Sequence, residues 1–213
     1  MKKLNLITIL LVVLIVFMGC KNNEILPSVT IGTQTWTNRN LDVTTYRNGD
    51  VIPQVEDITW VGLTTGAWCY YENLIDNDRI YGKLYNWYAV NDPRGLAPEG
   101  YHIPTDKEWT ILTDYLGGLN SAGGKMKETG TSNWIYPNAD ANNSTGFLGL
   151  PGGCRDYNGM FCAIGREGNW WSSSEYAKSN YTAWFRELNY NSGSAYDKTH
   201  FNQVGFSVRC VKD

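Results

Sequence analysis

The chain has 213 residues, a length that is usual for one domain with a sizeable hydrophobic core. It carries 18 lysines and arginines against 21 aspartates and glutamates, for a formal net charge of −3. No basic run or patch is present in the sequence, which excludes nucleic acid as an expected partner.

The first twenty residues have the layout of an export signal. Lys2 and Lys3 precede an apolar run at 9–18, which is too short to span a bilayer because a transmembrane helix needs about 20 apolar residues. The run ends in "FMGC", which resembles the lipobox of bacterial lipoproteins. The resemblance implies that residues 1–19 are a lipoprotein signal peptide and that Cys20 is lipidated. An ordinary signal peptide or an uncleaved apolar anchor is the alternative.

Residues 20–28 then form the lipidated cysteine and a polar tether ahead of the folded domain. Removal of residues 1–19 leaves 16 basic and 21 acidic residues, a net charge of −5. We therefore expect a mildly acidic lipoprotein of the cell envelope, held by its lipid anchor in the outer membrane or at the cell surface.

Two hairpins are predicted at the start of the mature domain. "VTIGTQTW" at 29–36 alternates apolar and polar residues around Gly32, which is typical of a short hairpin with one buried face. In "NLDVTTYRNGDVIP" at 40–53, the pair Asn48–Gly49 favours a tight turn between strand-like flanks. The domain is therefore expected to open with strands.

Two helices are predicted in the middle of the chain. The apolar residues of "RIYGKLYNWYAV" at 79–90 have the spacing of a short helix with a broad aromatic face. A clearer helix begins where Thr105 and Glu108 form a capping box, and Gly117–Gly118 end it. After residue 119, short segments rich in Gly, Asn and Ser lead to "FSVRCV", a predicted terminal strand. The predicted fold class is α+β, with strands first, then two helices and then a loop-rich β half.

Four cysteines remain after Cys20, and in an oxidising compartment they predict a disulfide framework with three connectivities. A two-residue Asn-Gly turn in "CRDYNGMFC" would place Cys154 opposite Ala163. A three-residue loop with Gly159 in the left-handed region instead places Cys154 opposite Cys162. We therefore expect a Cys154–Cys162 disulfide, which leaves Cys69 and Cys210 to form the second.

The sequence offers no catalytic, metal or cofactor constellation. His102 and His200 are far apart and no C-x-x-C is present, so we expect no zinc site. "NADANNSTG" at 138–146 alternates oxygen-bearing residues but lacks the glycine and glutamate of a calcium loop. No G-x-S-x-G occurs, and "GLPGG" lacks the lysine of a phosphate loop.

A binding surface is predicted instead in "GNWWSSSEY" at 168–176. Adjacent tryptophans in an extended segment point to opposite faces, so one of them can pack in the core while the other stays accessible. An accessible tryptophan beside polar groups suits a sugar or peptide ligand. The alternative is that both are buried. The predicted ligand-binding residues are Trp170, Trp171, Glu175, Tyr176 and Asp156.

Ordered motifs across 29–213 resemble a known domain family: "VTIGTQTWTNRNLDVTTYRNGD", "GAWCYYEN", "YGKLYNWYAV", "GYHIPTDKEW", "GGKMKETGTSNW", "TGFLGLPGG", "WWSSSEY" and "GFSVRCVKD". They look like the Fibrobacter succinogenes major paralogous domain. Through "HIPTDKEW" and "GFSVRC", that family resembles the formylglycine-generating enzymes and the C-type-lectin-like fold. The resemblance implies a compact α+β fold of this kind, with two helices and a twisted antiparallel sheet, but no activity. The closely spaced cysteine pair of those enzymes is absent from 172–190.

We therefore expect a lipid-anchored, non-catalytic, lectin-like domain that binds a carbohydrate or protein ligand. Two alternatives stay open. One is an enzyme with a dispersed site using Glu175, Asp156 and His102, and the other is a purely structural surface module.

Overall fold

The structure, a computed structural model, describes residues 26–213. The predicted signal peptide, Cys20 and most of the tether lie outside the described residues. Between Leu26 and Asp213, no helix combines the length and the apolar character needed to cross a membrane.

The described chain has a mixed α+β fold, as predicted. Its α-helices are α1 (Ile75–Tyr81), α2 (Trp87–Val90), α3 (Asp106–Tyr115) and α4 (Leu119–Met126). Its strands are β1 (Ser28–Ile31), β2 (Gln34–Thr37), β3 (Trp68–Cys69), β4 (Leu84–Tyr85), β5 (Tyr101–His102), β6 (Cys154–Arg155), β7 (Phe161–Cys162), β8 (Glu167–Glu175), β9 (Thr182–Asn189), β10 (Ala195–Phe201) and β11 (Val211–Lys212). Short 3-10 helices span Ile58–Trp60 and Tyr71–Asn73.

The strands form several small antiparallel sheets, none of which closes on itself. A four-stranded sheet has the order β1-β2-β11-β5, and a three-stranded sheet has the order β10-β9-β8. The pairs β3-β4 and β6-β7 are separate two-stranded ribbons. The opening hairpin predicted around Gly32 is present as β1 and β2, with Val29 opposite Trp36.

Most of the hydrophobic core lies on the two sides of β8. Trp170 packs in one cluster with Trp36, Trp109 and Phe147. Its neighbour Trp171 packs in a second cluster with residues of β4 and β9. Because adjacent side chains of a strand point to opposite faces, one strand supplies a large ring to each cluster.

The helix predicted from the capping box is α3. The Thr105 hydroxyl accepts from the Glu108 amide, and the Glu108 carboxylate accepts from the Thr105 amide at 2.8 Å. Trp109 and Leu112 on one side of the helix are completely buried. The prediction is confirmed because the signal is local, resting on two side chains three residues apart.

The segment predicted as a single aromatic helix is divided into three elements. α1 ends at Gly82, β4 pairs with β3 through Leu84 and Cys69, and α2 begins after Asn86. The Asn86 carboxamide accepts from the Ala67 amide and the Ala89 amide, both at 3.0 Å. The N-cap at Asn86, together with its tertiary contact to Ala67, overrides the helical spacing of the apolar residues.

α4 was not predicted, because "LNSAGGKM" reads as a turn-rich segment. A Cβ atom at Gly123 would lie 2.1 Å from the Ser194 carbonyl oxygen. The Gly124 amide also donates to the Gly193 carbonyl at 2.8 Å. The glycines are needed for backbone-to-backbone packing of α4 against the β10 side, which outweighs their low helix propensity. The prediction of two helices is therefore wrong.

Two other predicted strand regions are shorter than expected. Around Asn48–Gly49 the turn is present, but only one bridge, Thr45 to Val51, flanks it. In "FSVRCV", Phe206 and Ser207 form isolated bridges to Tyr85 and Trp170, and a true strand begins only at Val211. This terminal segment therefore bridges β4 and β8 first and joins the four-stranded sheet only at its end, as β11.

Candidate functional site

The segment 154–162 forms a clasped ribbon at the surface. Cys154 lies opposite Cys162 in β6 and β7, and their disulfide joins Cα atoms 5.3 Å apart. The Asp156 amide donates to the Met160 carbonyl at 2.8 Å, and Gly159 has φ of 83°. The loop is therefore the three-residue form with a left-handed glycine, as predicted.

Arg155 fastens this ribbon to the segment 55–60. Its guanidinium donates to the carbonyl oxygens of Val55, Glu56 and Asp57 at 2.6, 3.0 and 2.7 Å. The same group lies 4.7 Å from the centre of the Trp60 ring. Because Arg155 is only 2% exposed and bound to carbonyl oxygens, it acts as a structural tie and offers a ligand no direct contact.

Large apolar side chains are exposed around the ribbon tip. A Cβ atom at Gly159 would lie 3.3 Å from Val61 Cγ2 and 3.7 Å from Ile58 Cδ1. The Tyr157 ring lies 5.3 Å from the Phe201 ring. We call these side chains the ribbon surface. Its five members, with their exposed fractions, are Ile58 (72%), Val61 (44%), Tyr157 (49%), Met160 (67%) and Phe201 (45%). Grouped exposure of this kind is typical of interaction sites.

Polar groups border the ribbon surface on two sides. His200 Nε2 lies 4.0 Å from Asp156 Oδ1, and its Nδ1 accepts from the Phe201 amide at 2.9 Å. Burial lowers the pKa of His200, and the nearby Asp156 offsets only part of this effect. On the other side, a shallow concavity of about 530 Å³ is lined by Gln54, Val55, Glu56, Asp57 and Thr59.

The structure does not support the predicted tryptophan surface. Trp170 and Trp171 do point to opposite faces of β8, but each is 0% exposed. Trp170 Nε1 donates to Asn40 Oδ1 at 2.8 Å, and Trp171 Nε1 donates to the Tyr85 carbonyl at 2.9 Å. Since the two core clusters cover both faces of β8, neither ring is available to a ligand, and the alternative that both are buried is correct.

The other three predicted ligand-binding residues lie apart. Asp156 is half-buried at the ribbon, next to Tyr157. Glu175 is exposed at the end of β8, and the half-buried Tyr176 packs its ring edge-on to Trp184 at 5.2 Å. Glu175 pairs with Ala183, which pairs in turn with His200, so Glu175 is two strands away from the ribbon surface.

The three residues of the alternative enzyme site are not joined by any hydrogen bond or ion pair among themselves. His102 instead joins Asp213 through Nδ1 at 2.8 Å and Glu108 through Nε2 at 2.7 Å. Burial lowers the pKa of His102, but these hydrogen bonds raise it by more, so it lies above its usual 6.5. With both ring nitrogens engaged, His102 connects the chain end to α3.

The second expected disulfide is absent from the described structure. Cys69 and Cys210 are buried free thiols that belong to different hydrophobic clusters. Burial raises the pKa of each thiol to about 12. The prediction of a Cys69–Cys210 disulfide is therefore wrong. Both residues fill apolar space in the core as thiols.

The calcium-like loop is also used structurally. Asn138 Nδ2 donates to the carbonyl oxygens of Glu128 and Gly130 at 2.8 and 2.7 Å. Across residues 26–213, no group of three or more His, Cys, Asp or Glu side chains is placed to hold a metal ion.

Sequence reasoning missed Ile58, Val61, Met160 and Phe201 of the ribbon surface. Their only sequence signal is that they are apolar in segments that are otherwise turn-like. The sequence predicts the ribbon and a ligand-binding role for its Asp156, but it does not predict the exposed apolar side chains around the ribbon tip.

Comparison with known proteins identifies the family of this architecture. No curated protein and no solved structure matches the chain. The family model of the Fibrobacter succinogenes major domain matches residues 29–212. The match covers nearly all of the described residues, including the ribbon and the strands that support it. The chain therefore belongs to the Fibrobacter succinogenes major domain family.

Proposed function

We propose that this protein is a lipid-anchored, non-catalytic binding module of the cell envelope, which holds a carbohydrate or protein ligand at the ribbon surface. The observation that carries the proposal is that five exposed apolar side chains lie on the ribbon tip or beside it, on a rigid base. The base is rigid because the disulfide, Arg155 and the backbone bridge from Arg155 to Gly205 hold the ribbon in place. A preformed surface loses less conformational entropy when it binds.

The anchor in this proposal is Cys20. Its support is the apolar run followed by "FMGC" and a polar tether, the sequence order of a bacterial lipoprotein. We place the protein in the outer membrane or at the cell surface. Replacement of Cys20 by serine should abolish lipid labelling and membrane association. A Cys20→Ser chain that still fractionates with membranes would contradict the anchor.

We further propose that the fold is a variant of the C-type-lectin-like fold of the formylglycine-generating enzymes. The support is the order of the motifs "HIPTDKEW" and "GFSVRC", of which the first covers the entry to α3 and the second leads into β11. A lectin-like fold is consistent with a binding role, and the role itself is argued from the ribbon surface.

Glycan and protein arrays probed with the full chain in detergent test the binding function. Met160→Glu places a charge in the ribbon surface, and Ile111→Glu makes the same kind of change at an exposed position of α3. The wild type and Ile111→Glu should retain a reproducible ligand that Met160→Glu loses. Arrays with no reproducible ligand, or a ligand retained equally by all three proteins, would refute the proposal.

A further inference from the structure

The side chains of the ribbon surface have the character of a protein interface. Ile58, Val61 and Met160 are aliphatic or thioether side chains, which offer no flat ring for a sugar to stack on. The two rings, Tyr157 and Phe201, meet edge to face at 73°, so one ring edge covers the other ring's face. Methionine and aromatic residues are enriched in protein interfaces, and methionine adapts to differently shaped partners.

The rim of this surface is acidic. Glu56 and Asp57 are exposed directly before Ile58, and the half-buried Asp156 directly precedes Tyr157. The Asp57 carboxylate accepts from the Thr59 amide at 2.9 Å and from the Thr59 hydroxyl. These bonds to Thr59 hold the pKa of Asp57 below its usual value, so the group is ionised at neutral pH. The concavity lined by Glu56 and Asp57 lies next to Ile58.

The positive groups near this rim offset only part of its charge. Arg155 lies beneath the surface with its guanidinium bound to three carbonyl oxygens, and its single positive charge stands against the three carboxylates of the rim. His200 has its pKa lowered by burial and is therefore neutral at pH 7. A ligand consequently meets an apolar centre and a negative border.

We infer that the ribbon surface binds a protein segment that presents one or two apolar side chains between lysines or arginines. This inference rests on the proposed binding function and names the ligand class. Apolar side chains of the partner would cover Met160, Tyr157 and Ile58, and its cationic groups would face Asp57 and Glu56. A second copy of this chain fits poorly, because a two-fold contact would bring the acidic rims together.

Peptide binding to the full chain in detergent tests the inference. One set of synthetic peptides carries a tryptophan or leucine pair flanked by lysine and arginine. Matched sets have glutamate in place of the basic residues or serine in place of the apolar ones. The cationic apolar set should bind, and its affinity should fall as salt is raised, because exposed charges are screened.

Two variants separate the apolar and the charge contributions. Met160→Gln removes the apolar thioether without adding a charge that would itself attract the peptides, and it should weaken binding of the cationic apolar peptides about tenfold. Asp57→Asn keeps an oxygen that can accept from the Thr59 amide but removes the charge. It should weaken binding about twofold to fivefold, the range of an exposed charge pair, and reduce the salt dependence. Asp114→Asn, on the exposed side of α3, is the matched control. It should change neither the affinity for the peptides nor its salt dependence.

The outcomes distinguish the inference from the function on which it rests. Glycans retained by the wild type and lost by Met160→Glu, with no peptide bound, would overturn the peptide ligand and leave the binding function standing. Preference for the glutamate-flanked peptides would overturn the charge argument. If peptide binding is not weakened by Met160→Gln and glycan binding is not weakened by Met160→Glu, both proposals are wrong.

Discussion

At the scale of single residues, His102 ties the end of the chain to the start of a helix. Its ring bridges the carboxylates of Asp213 and Glu108, and Glu108 is at the same time the capping residue of α3. Sequence reasoning predicted the cap, because Thr105 and Glu108 are three residues apart. It missed the Asp213 contact, because a pairing between residues 111 positions apart leaves no local pattern.

The bridge predicts a pH-dependent stability. The pKa of His102 is raised above 6.5, so its contribution is fully present below that pH and is lost as pH rises through the folded pKa. The pKa of Glu108 is lowered below 4.5, so its contribution is present above that pH and is lost on further acidification. The stabilisation is therefore largest between pH 4.5 and 6.5.

His102→Gln should lower the free energy of unfolding by at most about 1 kcal/mol, because the pair is partly solvated. The loss of unfolding free energy should be largest between pH 4.5 and 6.5 and should shrink towards pH 9. Denaturant unfolding at several pH values measures it, with Tyr115→Ser on the exposed side of α3 as a control. A loss that does not vary with pH would contradict the charged bridge.

The two buried thiols give a second prediction at this scale. With pKa values raised to about 12, Cys69 and Cys210 should not react with a thiol reagent at pH 8 while the chain is folded. In denaturant without reductant, a chain lipidated at Cys20 should show two free thiols. A count of zero would mean that Cys69 and Cys210 are bonded to each other.

At the scale of elements, the clasped ribbon was predictable and α4 was not. The ribbon depends on nine consecutive residues, in which only the three-residue loop brings the cysteines opposite each other. α4 depends on the backbone of Gly193 and Ser194, about seventy residues away, so the two glycines in its sequence were interpreted as loop residues. Local constraints are visible in a sequence, whereas packing against a distant backbone is not.

Removal of the clasp tests the rigidity of the ribbon. A Cys154→Ala, Cys162→Ala double variant should lose about 2.5 kcal/mol of unfolding free energy, the chain-entropy value for so short a loop. Arg155 and the Gly205 bridge should keep the ribbon attached, so the fold should persist. Ligand affinity should fall because the tip becomes less ordered. Urea unfolding and array binding measure the two effects, and an unchanged affinity would show that the clasp does not organise the site.

At the scale of the whole molecule, β8 joins the two main hydrophobic clusters. The alternation of the tryptophans was correctly predicted from the sequence, but their accessibility was not. Exposure depends on what covers each face, and here Trp170 is covered by α3 and the opening hairpin, through Trp109 and Trp36. The candidate binding site is therefore the ribbon surface and not the tryptophans of β8.

Substitution of Trp170 or Trp171 should change the free energy of unfolding and not the affinity for a ligand. Trp170→Phe and Trp171→Phe each remove a buried indole hydrogen bond and leave a small void, and each should cost about 1–3 kcal/mol. Because neither ring reaches the surface, affinity for the array ligand should not change in the folded protein. A folded Trp171→Phe chain with weakened binding and normal stability would restore the tryptophan hypothesis.

Oxidative labelling of the full chain, with and without its array ligand, tests most directly whether the ribbon surface is the binding site. Met160 and Tyr157 are exposed at the ribbon tip, and Tyr136 is 84% exposed outside the ribbon surface and serves as the internal control. The account predicts that the ligand slows oxidation of Met160 and Tyr157 severalfold and leaves Tyr136 unchanged. Protection at Tyr136 or at Tyr176, with Met160 oxidised at the same rate as in the free protein, would contradict it.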